Sequence, residues 1–327
     1  MSKRRPLVYL IAGEPSGDLL GGRLMAALRE ETGGEVAFAG VGGAAMTQAG
    51  LDSLFPMREL AVMGLVEVLP HLRRLRRRLD ETVEHVRQVR PDVVVTIDSP
   101  GFTLRVAKRR KGAGIPLVHY VAPAVWAWRP GRARKVAGFL DHLLALLPFE
   151  PCYFEAHGLA TTAVGHPALE APRGDATAFR ARHALAPETP LLAVLPGSRL
   201  GEVRRLAPLF GETLGRLKEV EPALQAVVPT VDTVAAEVHA QVQHWPVPAI
   251  VVETGERPDA FAAARAALAA SGTVAVELAV AGVPAVIGYR GNALSAVLAR
   301  WLIRVRYVSI PNLVLDRPVH PELLQEA

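Results

Sequence analysis

The sequence predicts an α/β protein made of two doubly wound units, and three observations carry that prediction. Short apolar runs rich in β-branched residues alternate along the chain with stretches whose apolar residues recur at helical spacing. Several of these runs end in a glycine-containing turn that opens the next helix, the arrangement of Rossmann-like domains. The chain has 327 residues, 50% of them hydrophobic, too many for one ordinary core and enough for two.

Composition removes several classes of function. The lone cysteine, Cys152, rules out a disulfide framework and a cysteine-based zinc site. No His/Asp/Glu cluster stands out, so neither a metal nor a cofactor is expected. A net charge of +5 permits an anionic partner without identifying one, and 6% aromatic residues leave no evident stacking platform for nucleic acid. The N-terminus is basic and then apolar, but the apolar part, Leu7 to Gly13, is as short as a strand and runs into polar EPSGD. No uncharged apolar run reaches the roughly 18 residues of a membrane span. Val274 to Tyr289 comes nearest and is interrupted by Glu277 and Pro284.

In the first half, Leu7 to Ala12 reads as a buried strand. The turn GEPSGD follows, then a helix with Leu20, Leu24, Ala27 and Leu28 on one face. Ser16 or Asp18 could cap that helix; Glu14, at the strand end, suits a substrate hydroxyl or amide better than a phosphate. Val36 to Ala39 is a second strand, and the GVGG after it is either a ligand loop or a flexible turn. From Met57 to Leu79 an apolar stretch containing Met63, Leu65, Val66 and Leu69 is followed at once by Arg73, Arg74, Arg76, Arg77 and Arg78. It reads either as an interfacial membrane-docking segment or as a core helix followed by a solvated one. Val93 to Ile97 is a central strand that delivers Asp98 to the sheet edge where ligands of such folds bind, as base, substrate ligand or helix cap. After Leu117 to Val121, Trp126 and Trp128 lie beside Arg129, Arg132, Arg134 and Lys135, either lining a cleft or covering a core edge. His142 to Leu147 and Thr161 to Val164 complete the sheet, and His166 closes it as a ligand or a structural residue.

Residues 168–190, rich in Ala, Pro, Arg and Glu, read as a linker between domains 1–167 and 191–327. The second domain opens with the strand Leu191 to Leu195, the turn Pro196-Gly197-Ser198-Arg199 and a helix from Gly201. Free backbone N–H groups, a helix dipole and a guanidinium fork make an anion site there, unless Arg199 simply faces solvent. Further strands are Leu224 to Val228, Ile250 to Val252, Ala266 to Ala270 and Pro284 to Gly288, with a helix from Pro258. Ser271-Gly272-Thr273 is a second phosphate-ready turn, and Glu277, one helical turn on, can accept both hydroxyls of a ribose. Arg199 and Glu277 thus read as phosphate and ribose ligands of one nucleotide.

These segments together resemble the lipid-A-disaccharide synthases, bacterial glycosyltransferases of the GT-B type. The matching pieces are AGEPSGDLLGGRL, GVGG with Met46, VMGLVEVL, IDSPGF, HYVAPAVWAW, LPGSRLGEV, SGTVAVELAVAGVPAVIGYR and SIPNLVLDRPVHPELLQ, spanning Leu10 to Gln325. The resemblance implies two Rossmann-like domains facing a central cleft, the first for acceptor and lipid, the second for the UDP-sugar. It implies transfer from UDP-2,3-diacylglucosamine to 2,3-diacylglucosamine 1-phosphate (lipid X), with inversion, giving a β-1,6 disaccharide and UDP. By motif, Asp98 matches the essential aspartate; Arg199, Glu277 and Asn312 match nucleotide contacts, and Gln325 the glutamine of the ELLQ motif. Glu14, Ser16 and Asp98 are then expected at the acceptor sugar. Work on acylated substrates implies the cytoplasmic face of the inner membrane, and the resemblance also implies that subunits pair as a homodimer. Gly101 and Thr103 depart from the common Asp and Asn, and family members continue for some tens of residues past the position of Ala327. A rival of the same fold is a UDP-N-acetylglucosamine epimerase; a rival of another class is a non-catalytic nucleotide-sugar or lipid-binding protein.

Overall fold

The computed structural model describes residues 4–60, 72–127, 130–290 and 305–324. The chain forms two compact units, Met1–His166 and Pro167–Ala327, each built on a six-stranded sheet whose pairings are all parallel.

The first unit runs β1 (Leu7–Ala12), α1 (Pro15–Glu31), β2 (Ala37–Val41), α2 (Ala44–Gln48), α3 (Leu72–Val89), β3 (Val93–Ile97), α4 (Thr103–Arg110), β4 (Leu117–Tyr120), α5 (Gly131–Ala137), β5 (His142–Ala145), α6 (Pro151–Glu155) and β6 (Ala160–Ala163). Its strand order is β2-β1-β3-β4-β5-β6. Strand alternation splits β1 between two cores. Tyr9 and Ile11 join Val94 and the inner faces of α3, α4 and α5, whereas Leu10 and Ala12 join Val95, Ile97 and the inner faces of α1 and α2. Burial on both faces is what makes these strands read as unbroken apolar runs.

The second unit runs α7 (Ala176–Arg182), β7 (Leu191–Leu195), α8 (Leu200–Val220), β8 (Gln225–Pro229), α9 (Ala235–Val242), β9 (Ala249–Val252), α10 (Arg257–Ala263), β10 (Ala266–Ala270), α11 (Val274–Val280), β11 (Ala285–Tyr289), α12 (Ile310–Leu315) and β12 (Glu322–Leu324). Its order, β12-β11-β10-β7-β8-β9, is that of a Rossmann fold.

One expectation changes. Residues 168–190 are not a free linker: they belong to the second unit. Asp175 caps α7 by accepting the Ala178 N–H (2.9 Å), Phe179 is fully buried in the second core, and Arg182 pairs with Asp259 (2.8 Å). A helix with a single large apolar anchor is held by tertiary contacts that periodicity does not register. The short β12, pairing with β11 from Ile287 opposite Glu322, has no strand signature in sequence.

The sheet orders fix where ligands sit. In doubly wound sheets the crevice opens at the carboxyl ends of the two neighbouring strands whose connections leave in opposite directions. That point falls between β1 and β3 in the first unit and between β7 and β10 in the second. No helix among the described residues is long and apolar enough to cross a membrane.

Candidate functional site

In the first unit the β1–β3 switch point brings together Gly13 to Ser16 and Asp98-Ser99. Ser16 Oγ donates to Asp98 Oδ2 at 2.9 Å. The Asp98 N–H donates to the Tyr120 carbonyl at 2.9 Å, tying the corner to the end of β4. Asp98 and Ser99 both take left-handed backbone angles (φ 48° and 43°), a conformation costing about 1–3 kcal/mol per residue and concentrated at functional sites. Thr103 Oγ1 holds it by donating to the carbonyls of Asp98 and Ser99. A Cβ on Gly13 would lie 2.6 Å from Ser99 Oγ, so only glycine lets the two turns close. Asp98 does not cap α4: the Phe102 and Thr103 N–H groups go to the Ser99 carbonyl instead. Its carboxylate is oriented by Ser16, part-exposed, and suited to take a proton or orient a hydroxyl. Glu14 occupies the N-cap position of α1 beside it.

Other first-unit candidates serve the fold. The GVGG turn already holds an anion, the buried Asp18 carboxylate, which accepts from Gly43 N (2.7 Å), Ala45 N (2.9 Å) and Met46 N (3.1 Å). His166 is buried, and burial pushes its pKa down. Trp126 donates to Glu150 (3.1 Å) and meets the Phe149 ring edge-on, so it covers a core edge. Trp128 and Arg129 lie outside the described residues, as do Met63, Leu65, Val66 and Leu69. In the arginine cluster, Arg73, Arg76 and Arg77 are exposed and Arg74 is half-buried. Arg78 is not a surface docking residue. Its guanidinium is 15% exposed, bonds Glu59 through two nitrogens (2.8 and 2.7 Å) and Glu81 through the third (2.6 Å), and lies over the Phe55 ring. Spacing explains this: Arg78 falls on the α3 stripe of Leu75, Leu79 and Thr82, which faces the core. The same guanidinium holds Glu59 below the usual carboxylate range.

In the second unit the β7–β10 switch point joins the Gly197–Arg199 turn and the Ser271–Thr273 turn. Gly197 has φ 118°, and a Cβ there would meet Glu202 Oε2 at 2.7 Å; both facts require glycine. Arg199 is the N-cap residue of the 21-residue α8, in extended backbone. Its guanidinium is 61% exposed and pairs with Glu202 at 3.0 Å. Such exposed pairs contribute about 0–1 kcal/mol, so a phosphate can readily take Glu202's place. Ser198 and Thr273 are exposed, and a side chain on Gly272 would meet open space. The Ser271 hydroxyl donates to the Val308 carbonyl (3.3 Å), so among these side chains it is already engaged. Glu277 is half-buried; burial pushes its pKa up, and Arg257, whose Nε lies 3.1 Å away, opposes the shift. Sequence reading missed Arg257; its one signal was an arginine ahead of Pro258 at a helix start.

The Asn312 side chain is spent within the fold. It is fully buried, its amide nitrogen donates to the His320 carbonyl (2.7 Å) and Glu322 (2.8 Å), and its oxygen accepts the His320 N–H (2.8 Å). Glu322 also accepts the Val308 and Ser309 N–H groups, binding β12 to the start of α12. Gln325 lies outside the described residues. Among the described residues no three His, Cys, Asp or Glu side chains converge as a metal site. A hollow of about 670 Å³ lined by Lys111, Gly112, Gly114 to Leu117 and Ala137 to Asp141 opens at the amino ends of β4 and β5, the wrong edge of the sheet for the switch point.

The model of the lipid-A-disaccharide synthetase family matches residues 8–327. The lipid-A-disaccharide synthase of Rhodospirillum centenum is 61% identical over 98% of this chain and 81% of its own length. That of Paramagnetospirillum magneticum is 55% identical over 98% and 84%. Among solved structures, a UDP-GlcNAc 2-epimerase from Neisseria meningitidis bound to UDP-GlcNAc superposes with TM-score 0.61 at 12% identity, over 95% of this chain and 90% of that one. An Acinetobacter baumannii MurG superposes with TM-score 0.51 at 15% identity, over 89% and 80%. At such identities these two show a shared fold.

Proposed function

The chain belongs to the lipid-A-disaccharide synthase family, and from that premise we propose that it transfers a 2,3-diacylglucosamine from UDP to the 6-hydroxyl of 2,3-diacylglucosamine 1-phosphate. The observation that supports the donor half is the β7–β10 switch point, where the Arg199 turn and the Ser271–Thr273 turn follow neighbouring parallel strands and Glu277 stands one helical turn further on. In this reading Arg199, with the N-terminal amides of α8, takes the charge that grows on the departing diphosphate. Glu277, steadied by Arg257, accepts the ribose hydroxyls. The acceptor belongs to the first unit, where Asp98, oriented by Ser16, takes the proton from the attacking hydroxyl. A single displacement inverts the anomeric carbon, and electrostatic stabilisation of the leaving UDP is assigned to the guanidinium and backbone donors.

Because both substrates carry acyl chains, we further propose that the first unit works on the cytoplasmic surface of the inner membrane, with the exposed Arg73, Arg76 and Arg77 meeting anionic head groups. The test is UDP release from the acylated donor with acylated and deacylated acceptors. Release that requires the acylated pair supports the proposal. Release of UDP from UDP-GlcNAc without acceptor, or C2 epimerisation of it, replaces this reading with the epimerase one, and tight UDP binding with no turnover replaces it with a binding protein.

A further inference from the structure

The loop that leaves β4 is held more firmly than its own backbone accounts for. Val121, its first residue, has φ 80°, a genuine outlier for a β-branched side chain that persists only where surroundings impose it. Its N–H donates to the Leu144 carbonyl at the end of β5 (2.9 Å), and the residue before it, Tyr120, is the one whose carbonyl receives the Asp98 N–H. At the other end of the loop, Trp126 Nε1 donates to Glu150 Oε1 (3.1 Å), and the indole meets the Phe149 ring at 5.5 Å and 80°. Glu150 Oε2 accepts the Leu147 N–H at 3.0 Å. Between these ends the described backbone bonds are short-range turns, Val125 to Pro123 and Ala127 to Ala124. A carboxylate thus ties the loop after β4 to the loop after β5, both on the carboxyl edge that carries Asp98.

That carboxylate is expensive where it stands. Glu150 is 4% exposed, and burial pushes its carboxyl pKa up, against the pull of the N–H groups of Leu147, Trp126 and Leu146. An apolar residue packed beside Phe149, Leu147 and Phe154 would serve the core better. What the carboxylate gives in return is one fixed place for Trp126, and with it one fixed shape for the loop beginning next to Asp98.

We propose that Glu150 is a positioning residue for the acceptor: through the Trp126 indole it holds the Val121–Ala127 loop as a rigid wall beside Asp98, against which the acceptor sugar phosphate is received. The proposal rests on reading the first unit as the acceptor domain. Glu150 itself touches no substrate; its action runs through Trp126 alone.

Two single variants and their combination test this. Glu150→Gln keeps the volume but loses one of the two acceptor oxygens; Trp126→Phe keeps an aromatic side chain but loses the N–H together with the pyrrole ring. Each is expected to raise the acceptor KM about tenfold, the size of effect that loss of one charge-assisted hydrogen bond produces, while UDP affinity measured by titration stays that of wild type. The double variant is expected to be no worse than either single one, because both break the same link. The Trp126 emission, isolated by subtracting the Trp126→Phe spectrum, is expected to shift in Glu150→Gln. Wild-type acceptor KM in both variants overturns the proposal, as does additive behaviour of the double variant. A parallel loss of UDP affinity and thermal stability also overturns it, by reducing Glu150 to a general structural role. Absence of acylated-acceptor turnover in the wild type removes the acceptor reading itself, and the proposal with it; normal wild-type turnover with unaffected variants removes the proposal alone.

Discussion

Replacing Arg257 with alanine isolates a part of the proposed donor site that the sequence did not announce. Arg257 Nε is 3.1 Å from Glu277 Oε2, with the two side chains 30% and 23% exposed. The contact is an ion pair, and pairs this exposed contribute about 0–1 kcal/mol. At 1.4 kcal/mol per factor of ten, UDP affinity is expected to fall by up to about fivefold at neutral pH. The pH dependence carries more information. Burial raises the Glu277 pKa and Arg257 lowers it, so removing Arg257 leaves only the upward push. If the ionised carboxylate is the form that accepts ribose hydroxyls, affinity is lost as pH falls through that pKa, and in Arg257→Ala the loss begins at higher pH than in wild type. Calorimetric UDP titrations between pH 5 and 8, with Glu277→Gln as the control lacking the titrating group, read this directly. Wild-type affinity and an unmoved pH profile in Arg257→Ala would refute the reasoning. An affinity loss that is the same at every pH would place Arg257 on the diphosphate itself.

Three further outcomes are expected. Asp98→Asn should keep UDP affinity while slowing the chemical step by about 10²–10⁴-fold, and Ser16→Ala should slow it less; near-normal single-turnover rates in Asp98→Asn would assign Asp98 to structure. Replacing Arg73, Arg76 and Arg77 with Gln should release the protein from anionic vesicles at low salt with folding intact, whereas Arg78→Gln should lower the melting temperature by breaking the Glu59–Arg78–Glu81 cluster; unchanged vesicle co-sedimentation of the triple variant would sink the docking idea. His119, fully buried against Thr96, has its pKa depressed to about 3 by burial. The unfolded chain therefore binds this proton first as pH falls below about 6.5, and the folded state loses roughly 1.4 kcal/mol per pH unit from there towards pH 3. Urea unfolding at pH 7 and pH 5 should show a difference about 2 kcal/mol smaller in His119→Gln than in wild type; equal differences would mean His119 is not buried neutral.

Most of the fold was legible because its strands are buried on both faces. Leu7–Ala12, Val93–Ile97, Leu191–Leu195 and Ala266–Ala270 read as strands with the bounds the structure gives them, since an uninterrupted apolar run between turn residues has few other readings. The positions of Asp98, Arg199 and Ser271 at the carboxyl edges of the sheets followed from the strands that precede them. What escaped was whatever depends on a partner distant in sequence. Phe179 in the supposed linker, Glu59 beside Arg78, Glu150 beside Trp126 and Arg257 beside Glu277 each join segments at least 19 residues apart, and neither periodicity nor local composition encodes such pairs. Asn312 shows the converse: its motif was visible, but motif membership does not say that the amide is spent on His320 and Glu322.

The glycine turns show why such pairings decide function. A strand, a glycine and a helix start offer unsatisfied N–H groups wherever they occur, so sequence alone makes each of them an anion site. Whether one binds an external anion depends on whether the fold has already supplied an internal one. At Gly43 it has: Asp18, from a different helix, takes three N–H groups and is buried in doing so. At Ser309, a helix start without a glycine, the half-buried Glu322 of β12 accepts two N–H groups. At Gly197 the nearby carboxylate is Glu202, from the first turn of the same helix, and it is met by the exposed Arg199. A diphosphate arriving there would be repelled by Glu202 alone. With Arg199 able to turn from one anion to the other across a weak, solvated pair, the same carboxylate becomes a resting partner that keeps the guanidinium at the mouth of the turn until phosphate displaces it.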